Sequence, residues 1–431
     1  MRFPFHDTML RSLLANAGNV MAGRVAIPSI CTAHPHVLQI AMQHAAEHGD
    51  ILLIEATCNQ VNQFGGYTGL TPALFRDRML ELAADTGLAP ENLVLGGDHL
   101  GPNPWKHLPA DEAMSNAEAM IAAYAAAGFR KLHLDASMGC AGEPEVLDDE
   151  NVAQRAARLA AVAERVCHEQ GLALPVYIIG TEVPPPGGAT ASHNGLTITP
   201  PEAAMRTVDV HHATFKQHGL EGVLERIVGL VVQPGVEFGD EGIDIYEPGK
   251  AAPLGAALRN LQGLVFEAHS TDYQPGERLR ALALEGFGIL KVGPALTFAW
   301  REAIYGLDRI NAALEGTAPE LDAKMEALMM RDPGYWRPYY KGSDDYVRLQ
   351  RHYSYSDRIR YYWPEPDARA AVEALLGKLG DRALPQTLIS QHLGRLYGRV
   401  VAGGIQPDAR SLIAASVRDV LDVYRQASAA A

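Results

Sequence analysis

Acidic and imidazole side chains occur where short apolar runs of the chain end. Six residues share this placement: Glu55, Asp98, Asp135, Glu182, His99 and His269. Gathering such groups in one place costs free energy unless a cation or a polar ligand compensates their charge. Carboxylates together with imidazoles suit a divalent ion such as zinc, manganese or iron. Such a site can polarise a carbonyl or stabilise an enediolate, as aldol cleavage and sugar epimerisation require.

Each of these residues also has a purely structural alternative. An acid at the end of a strand often only caps the following helix, and a lone histidine is often a hydrogen-bonded core or loop residue. Lys291, inside an apolar run, either forms a Schiff base or pairs with Glu267 or Asp135. His193 follows the fifth run and could complete a metal shell. A site is favoured because acids and histidines end several runs at once.

The elements that would position these residues alternate regularly. Eight apolar runs have the length and composition of strands buried on both faces: 26–33, 51–56, 93–99, 131–136, 176–183, 229–235, 264–270 and 289–296. Stretches of helical periodicity lie between them, for example 37–48, 111–127, 150–170 and 297–313. This pattern predicts a closed parallel (β/α)8 barrel, in which all strands end at one mouth. A doubly wound sheet would carry a glycine-rich phosphate turn after its first strand, where this chain has Cys-Thr-Ala-His-Pro-His.

The alternation stops after about residue 316. Aromatic and proline-rich segments follow at 332–340 and 353–364, and helical patterns resume at 366–379 and 409–428. We therefore predict two parts, a barrel over 1–315 and a mostly helical C-terminal extension over 316–431. The extension is expected to pack on the barrel, and the aromatic stretch 332–364 could contact a partner or a second copy of the chain.

Composition excludes several classes of protein. The 51 acidic and 37 basic residues give a net charge of −14, which argues against a nucleic-acid or anionic-membrane partner. The four cysteines, with no C-x-x-C pair, predict neither a disulfide framework nor a structural zinc site. No run approaches the roughly 20 apolar residues of a membrane span, and the first residues lack the apolar run of a signal peptide. These features together predict a cytoplasmic protein. No phosphate-loop motif occurs, so we expect that it binds no nucleotide.

Longer motifs at the run ends carry a family resemblance. They include IEATCNQVNQFGGYTG (54–69), GGDHLGPN (96–103), KLHLDASMGCAG (131–142), IGTEVPPPGG (179–188), VVQPGVEF (231–238), EAHSTDYQ (267–274), LKVGPALTFAWREA (290–303) and YSYSDRIRYYWP (353–364). With these segments the chain resembles the GatZ/KbaZ family over essentially its whole length. That family comprises the larger subunits of bacterial D-tagatose-1,6-bisphosphate aldolase, and members have also been labelled tagatose-6-phosphate kinases.

The resemblance implies a fold related to class II aldolases and a smaller aldolase subunit as partner. In the family, the smaller subunit carries the zinc-dependent active site, and the larger one supports its stability and activity. Compared with class II aldolases, Asp98 falls at the proton-transferring aspartate, and His99 and His269 fall at zinc ligands. The chain departs from that pattern after His269, where Ser270-Thr271-Asp272 replaces a glycine that helps to bind phosphate.

The expected site combines the residue pattern with this resemblance. The catalytic candidates are Asp98, Asp135, Glu182 and Lys291. The metal ligand candidates are His99, His269, Glu182 and His193. The substrate-binding candidates are Glu55, Asn59, Gln60, Ser137, Ser270 and Asp272. The first functional hypothesis is an accessory subunit of a tagatose-bisphosphate aldolase. The alternative is a free-standing metal-dependent aldolase or epimerase that acts on a keto-sugar, its phosphate or its acid; a sensor of sugars or sugar phosphates is a weaker third.

Overall fold

The computed structural model describes residues 26–180, 196–261 and 263–429. Its strands are β1 (Ile27–Ile30), β2 (Leu52–Thr57), β3 (Leu93–Leu100), β4 (Lys131–Leu134), β5 (Val176–Gly180), β6 (Ile227–Val231), β7 (Glu237–Phe238), β8 (Ile243–Asp244), β9 (Val265–Ala268) and β10 (Phe287–Val292). All but β7 and β8 are parallel and close into a barrel in the order β1-β10-β9-β6-β5-β4-β3-β2. β7 and β8 pair as a small antiparallel hairpin after β6. The predicted eight-stranded barrel is confirmed.

A helix follows each barrel strand, as a (β/α)8 barrel requires. These helices are Pro35–His48, Pro72–Thr86, Ala110–Ala126, Asp149–Gln170, Pro201–Gln217, Ala252–Ala257, Gly276–Leu284 and Pro294–Glu315, with a short additional helix at Glu221–Leu224. Proline lies in the first turn of several of them, where its missing N–H costs nothing. Within the described ranges, no helix combines the length and the apolar character that a membrane crossing needs.

The sixth and eighth predicted strands were placed slightly too late in the sequence. The runs 229–235 and 289–296 correspond to Ile227–Val231 and Phe287–Val292. The sixth strand ends before a turn in which Gln233 Oε1 accepts hydrogen bonds from the amides of Gly235 and Val236, at 2.7 and 3.0 Å. The eighth ends because Pro294 begins a helix. Apolar residues continue past both boundaries, so hydrophobicity alone did not locate them.

The inside of the barrel is apolar at its base and polar above it. The basal cluster consists of Ile27, Leu53, Val94, Val176, Ile178, Val228, Val231, Val265 and Ile289. Inward-facing residues repeat every second position along a strand. Each of Leu53, Val265 and Ile289 is followed two positions later on its strand by a buried charged residue: Glu55, Glu267 and Lys291. The barrel interior therefore changes from apolar to charged side chains at the next inward-facing position of these strands.

Gly96 on β3 makes room for this polar layer. A Cβ atom at Gly96 would lie 2.8 Å from Cγ of Glu55, which is closer than a real contact. The next inward position on β3 is Asp98, which is 3% exposed. A glycine in the middle of a buried strand therefore has a packing reason, because it lets a long carboxylate cross the barrel.

Helices after residue 316 pack against the barrel. They are Leu321–Arg331, Asp344–Tyr353, Pro366–Leu379, Gln386–His392, Gly394–Val401 and Ala409–Ser428. The last one lies against Pro294–Glu315, Gly276–Leu284 and Pro35–His48. Its Tyr424 hydroxyl donates to the carbonyl of Thr271, just after β9, at 2.6 Å. One continuous hydrophobic cluster includes side chains from both parts of the chain. The division at residues 315 and 316 into two domains remains a prediction.

Candidate active site

A buried network of ion pairs crosses the barrel above its apolar base. Lys131 Nζ lies 2.7 Å from Glu55 Oε1 and 2.7 Å from Glu267 Oε2. Lys291 Nζ lies 2.9 Å from Glu55 Oε2 and 2.8 Å from Asp98 Oδ1. Every side chain in this set is at most 5% exposed. These five residues, which we call the ion network, join β2, β3, β4, β9 and β10.

Lys291 is held in its charged form by this network. Burial opposes its charge, but Asp98, Glu267 and Glu55 outweigh burial and raise the pKa of Lys291 well above its usual value. A Schiff base requires a neutral amine as nucleophile. The surroundings of Lys291 therefore favour the ion-pair alternative, with Glu267 Oε1 3.5 Å away.

Four buried side chains, two of which belong to the ion network, could hold a metal ion. One potential ligand atom from each of Asp98, His133, Glu267 and His269 lies within 4.8 Å of all the others. We call these residues the four-residue group. Two imidazoles with two carboxylates form a donor set that suits zinc, manganese or iron.

Hydrogen bonds around His133 orient this ligand of the group. His133 Nε2 lies 3.0 Å from the carbonyl oxygen of Gly180, so this nitrogen donates to that carbonyl. Nδ1 lies 3.0 Å from Asp98 Oδ1, and the backbone N–H of His99 is shared between these two acceptors, at 3.2 and 3.0 Å. A cation bound by Nδ1 would therefore compete with this N–H. We assign this tautomer from the hydrogen-bond pattern.

His269 and Glu267 also have the protonation states that metal binding needs. Burial lowers the pKa of His269 to about 3, which keeps its ring neutral. Burial opposes ionisation of Glu267, but Lys131 and Lys291 outweigh it and hold the pKa of Glu267 well below its usual range. The two side chains lie 2.9 Å apart, between His269 Nε2 and Glu267 Oε1.

His99 and Asp135 form a second functional pair at the barrel mouth. His99 Nδ1 lies 2.9 Å from Asp135 Oδ2, and the Ser137 hydroxyl donates to Asp135 Oδ1 at 2.9 Å. Burial opposes the charge on His99, but Asp98 and Asp135 raise its pKa above the usual value. His99 also has a φ of 49°, an uncommon left-handed conformation for a residue with a side chain. An imidazole oriented by a carboxylate is suited to moving protons.

These residues surround a cavity of about 190 Å³ at the C-terminal ends of the strands. The predicted site residues that line it are Asn59, Gln60, Asp98, His99, Asp135, Ser137, His269, Ser270, Asp272 and Lys291. Glu55 lies below the cavity, in the ion network, and is fully buried. Glu182 and His193 lie outside the described residues. The structure thus brings together the predicted residues that it describes.

Asp272 and Gln60, which were predicted to bind substrate, also have structural partners. Asp272 Oδ1 accepts hydrogen bonds from the amides of Gly293 and Ala295 at 2.9 and 2.8 Å, and so caps the helix Pro294–Glu315. Gln60 accepts from the amide of Thr57 at 2.9 Å through its side-chain oxygen. Both side chains still line the cavity, but these bonds already occupy one oxygen of each.

Sequence reasoning missed several residues at this site. Lys131 and His133 point inward on β4, and the available signal was their two-residue spacing from Asp135. Arg360 and Tyr361 line the cavity from the C-terminal extension. They belong to the segment 353–364, whose aromatic composition suggested a contact surface rather than a wall of the site.

Fold and site together define a (β/α)8-barrel protein with a buried carboxylate–imidazole centre at its C-terminal mouth. The model of the family described as D-tagatose-1,6-bisphosphate aldolase subunit GatZ/KbaZ-like matches residues 13–429, and the chain belongs to this family.

Two relatives are similar to this chain over nearly its whole length. A D-tagatose 6-phosphate 4-epimerase of Agrobacterium fabrum (strain C58) is 52% identical over 410 residues, which cover 94% of this chain and 96% of the relative. A probable tagatose 6 phosphate kinase from Sinorhizobium meliloti 1021, whose crystal structure is known, is 55% identical to this chain in sequence. It matches with a TM-score of 0.86 over 93% of this chain and 100% of that one.

The ion network gives a prediction about stability. Lys131→Met should lower the free energy of unfolding by about 3–5 kcal/mol, because it leaves Glu55 and Glu267 buried without their shared cation. Urea denaturation followed by circular dichroism measures this change. Adding Glu55→Gln to Lys131→Met should restore part of the loss, because it removes one uncompensated charge. Lys250→Met breaks an exposed ion pair of the same length and should leave the midpoint nearly unchanged. Equal midpoints for Lys131→Met and the wild type would contradict the prediction.

Proposed function

We propose that this protein is a metal-dependent 4-epimerase that acts on a ketose 6-phosphate of the tagatose type. The observation that carries the proposal is that the His99–Asp135 pair lines the same cavity as Asp98 and His269 of the four-residue group. The 52% identical relative that is a D-tagatose 6-phosphate 4-epimerase supports the substrate class and the reaction. The proposal takes up the free-standing enzyme that the sequence left as the alternative.

The chemistry follows from the two sugars involved. D-Tagatose 6-phosphate and D-fructose 6-phosphate differ only in configuration at C4, two carbons from the C2 carbonyl. Breaking the C3–C4 bond in a retro-aldol step leaves its electron pair on an enediolate and turns C4 into an aldehyde. Turning this aldehyde over before the bond re-forms inverts C4. A divalent ion in the four-residue group would supply polarisation of the carbonyl.

The side chains of this protein would move the proton. His99, oriented by Asp135, would accept the proton of the C4 hydroxyl as the bond breaks and return it as the bond re-forms. Lys131 and Lys291 would keep Glu267 and Asp98 ionised throughout. Burial would exclude water, which would otherwise protonate the enediolate before recombination.

The first prediction from this proposal concerns turnover and metal. The purified chain should convert D-tagatose 6-phosphate to D-fructose 6-phosphate, as measured by NMR. A chelator should abolish this conversion, and added zinc or manganese should restore it. His269→Ala should reduce both bound metal, measured by mass spectrometry, and turnover, whereas the exposed His107→Ala should change neither. Full turnover by metal-free protein, or no conversion with any divalent ion, would contradict the proposal.

A second prediction separates two roles for His99. The class II aldolase resemblance implies that His99 binds metal and Asp98 moves the proton, whereas the geometry favours proton transfer by His99. On the latter view, His99→Gln should keep its metal and lower kcat by roughly 100- to 10,000-fold, with a much smaller change in KM. If His99→Gln instead loses its metal, the ligand role stands. His107→Gln is again the matched control.

A second candidate function is the accessory role in a tagatose-bisphosphate aldolase. The description of the family as aldolase subunits favours it. A surface for a smaller subunit, or for a second copy of this chain, is available on the segment 332–364 of the extension, where four large apolar side chains remain exposed: Tyr339, Tyr346, Leu349 and Tyr353. The chain should then form a complex with a smaller class II aldolase subunit and raise its melting temperature, and Leu349→Arg should weaken both effects. Separate sedimentation of the two proteins, with no change in rate, would rule the role out.

A further inference from the structure

The phosphate position typical of barrel enzymes is occupied in this protein. Barrels often bind phosphate at the loops after their last two strands, on amides at a helix N-terminus. Here the side chain of Asp272 already bonds to the amides of Gly293 and Ala295. This residue is 3% exposed, and burial raises the pKa of its carboxyl to about 6. A phosphate therefore finds an acidic group where other barrels offer free N–H donors.

The basic side chains that line the cavity limit where else a phosphate could bind. They are His99, His269, Lys291 and Arg360. The first three lie within 3 Å of a carboxylate oxygen, as distances of 2.9, 2.9 and 2.8 Å show. Among the described residues, no carboxylate forms an ion pair with Arg360, and Asp357 acts on its charge only from a longer distance. Arg360 is thus the basic side chain of the cavity without an ion-pair partner among the described residues.

Hydrogen bonds hold the Arg360 guanidinium in place. Nη1 donates to the carbonyl of Ser356 and, at 3.0 Å, to that of Asp357. Nη2 donates to the Tyr361 hydroxyl at 3.0 Å. A guanidinium has five N–H donors, so it can hold these partners and still bond to a phosphate. The charge is oriented before any ligand arrives, which lowers the entropy cost of binding.

The segment that carries Arg360 is fixed to the barrel by Asp357. This residue is 1% exposed and has a left-handed φ of 46°. Its Oδ2 accepts a hydrogen bond from the Thr297 hydroxyl at 2.5 Å, and its Oδ1 lies 3.5 Å from Nε of Arg301. Thr297 and Arg301 both belong to the helix that follows β10. Arg360 therefore has a defined position relative to the barrel strands.

We infer that Arg360, on the C-terminal extension, binds the phosphate group of the substrate. The identity of the substrate as a ketose phosphate rests on the proposed function. The keto end of the sugar lies toward the four-residue group, and the phosphate lies toward the extension. In this arrangement the barrel supplies the chemistry and the extension selects for phosphorylated sugars.

The test compares phosphorylated with unphosphorylated sugar. Arg360→Gln should weaken binding of D-tagatose 6-phosphate, measured by calorimetry on the full chain, by roughly 10- to 100-fold. Arg360→Lys should recover only part of the lost affinity, because an ammonium lacks the planar pair of N–H donors that a guanidinium offers to phosphate. Turnover of D-tagatose should change little in either variant. Thermal melting shows that each variant is folded. Arg369→Gln, which removes an exposed arginine from the next helix, is the matched control and should bind as the wild type does.

The outcomes separate this inference from the proposed reaction. If the wild type binds the sugar phosphate through Arg360 but does not epimerise it, the phosphate site stands and the reaction is wrong. If Arg360→Gln binds the sugar phosphate like the wild type, Arg360 is not the anchor. Equal losses with Arg369→Gln, or with D-tagatose as substrate, would also overturn the inference, as would a wild-type chain that binds no sugar phosphate.

Discussion

Two lysine ammonium groups inside the barrel allow three carboxylates to lie side by side. Without Lys131 and Lys291, the strands carrying Glu55, Asp98 and Glu267 could not close without burying uncompensated charge. The apolar base of the barrel keeps water out from below, which makes each of these ion pairs both strong and costly to break. The positions of the ligand and proton-transfer groups above therefore depend on this network.

The same network explains why the mouth of the barrel suits a cation. Three carboxylates against two ammonium groups leave one negative charge within the ion network. Asp98 and Glu267 belong both to the network and to the four-residue group, so this excess lies beside the imidazoles of His133 and His269. A divalent ion there would compensate the excess. The arrangement of the ligand atoms and the excess negative charge thus both favour a cation at the four-residue group.

The barrel and much of its site could be predicted because parallel strands share one end. Asp98, Asp135 and His269 follow apolar runs, and closure of the barrel brings those ends together whatever the details of packing. Lys131 and His133 were missed because they lie within their run rather than at its end, although the alternation Lys-Leu-His-Leu-Asp places both on the same face of the strand as Asp135. Arg360 reaches the cavity only through tertiary packing of the extension on the barrel. No local pattern in 353–364 indicates which surface it covers.

Backbone strain marks where the two parts of the site meet. Three of the non-glycine residues with left-handed φ are His99, Ser270 and Asp357, at 49°, 52° and 46°. The first two follow the inward-facing part of their strands, and the third fixes the extension to the barrel. Such conformations persist only where surrounding contacts impose them, and they concentrate at functional sites. Asp357 lies outside the barrel, so surrounding contacts impose a defined backbone conformation on the extension as they do at the strand ends. A change in this segment could therefore alter the substrate while leaving the chemistry of the barrel intact.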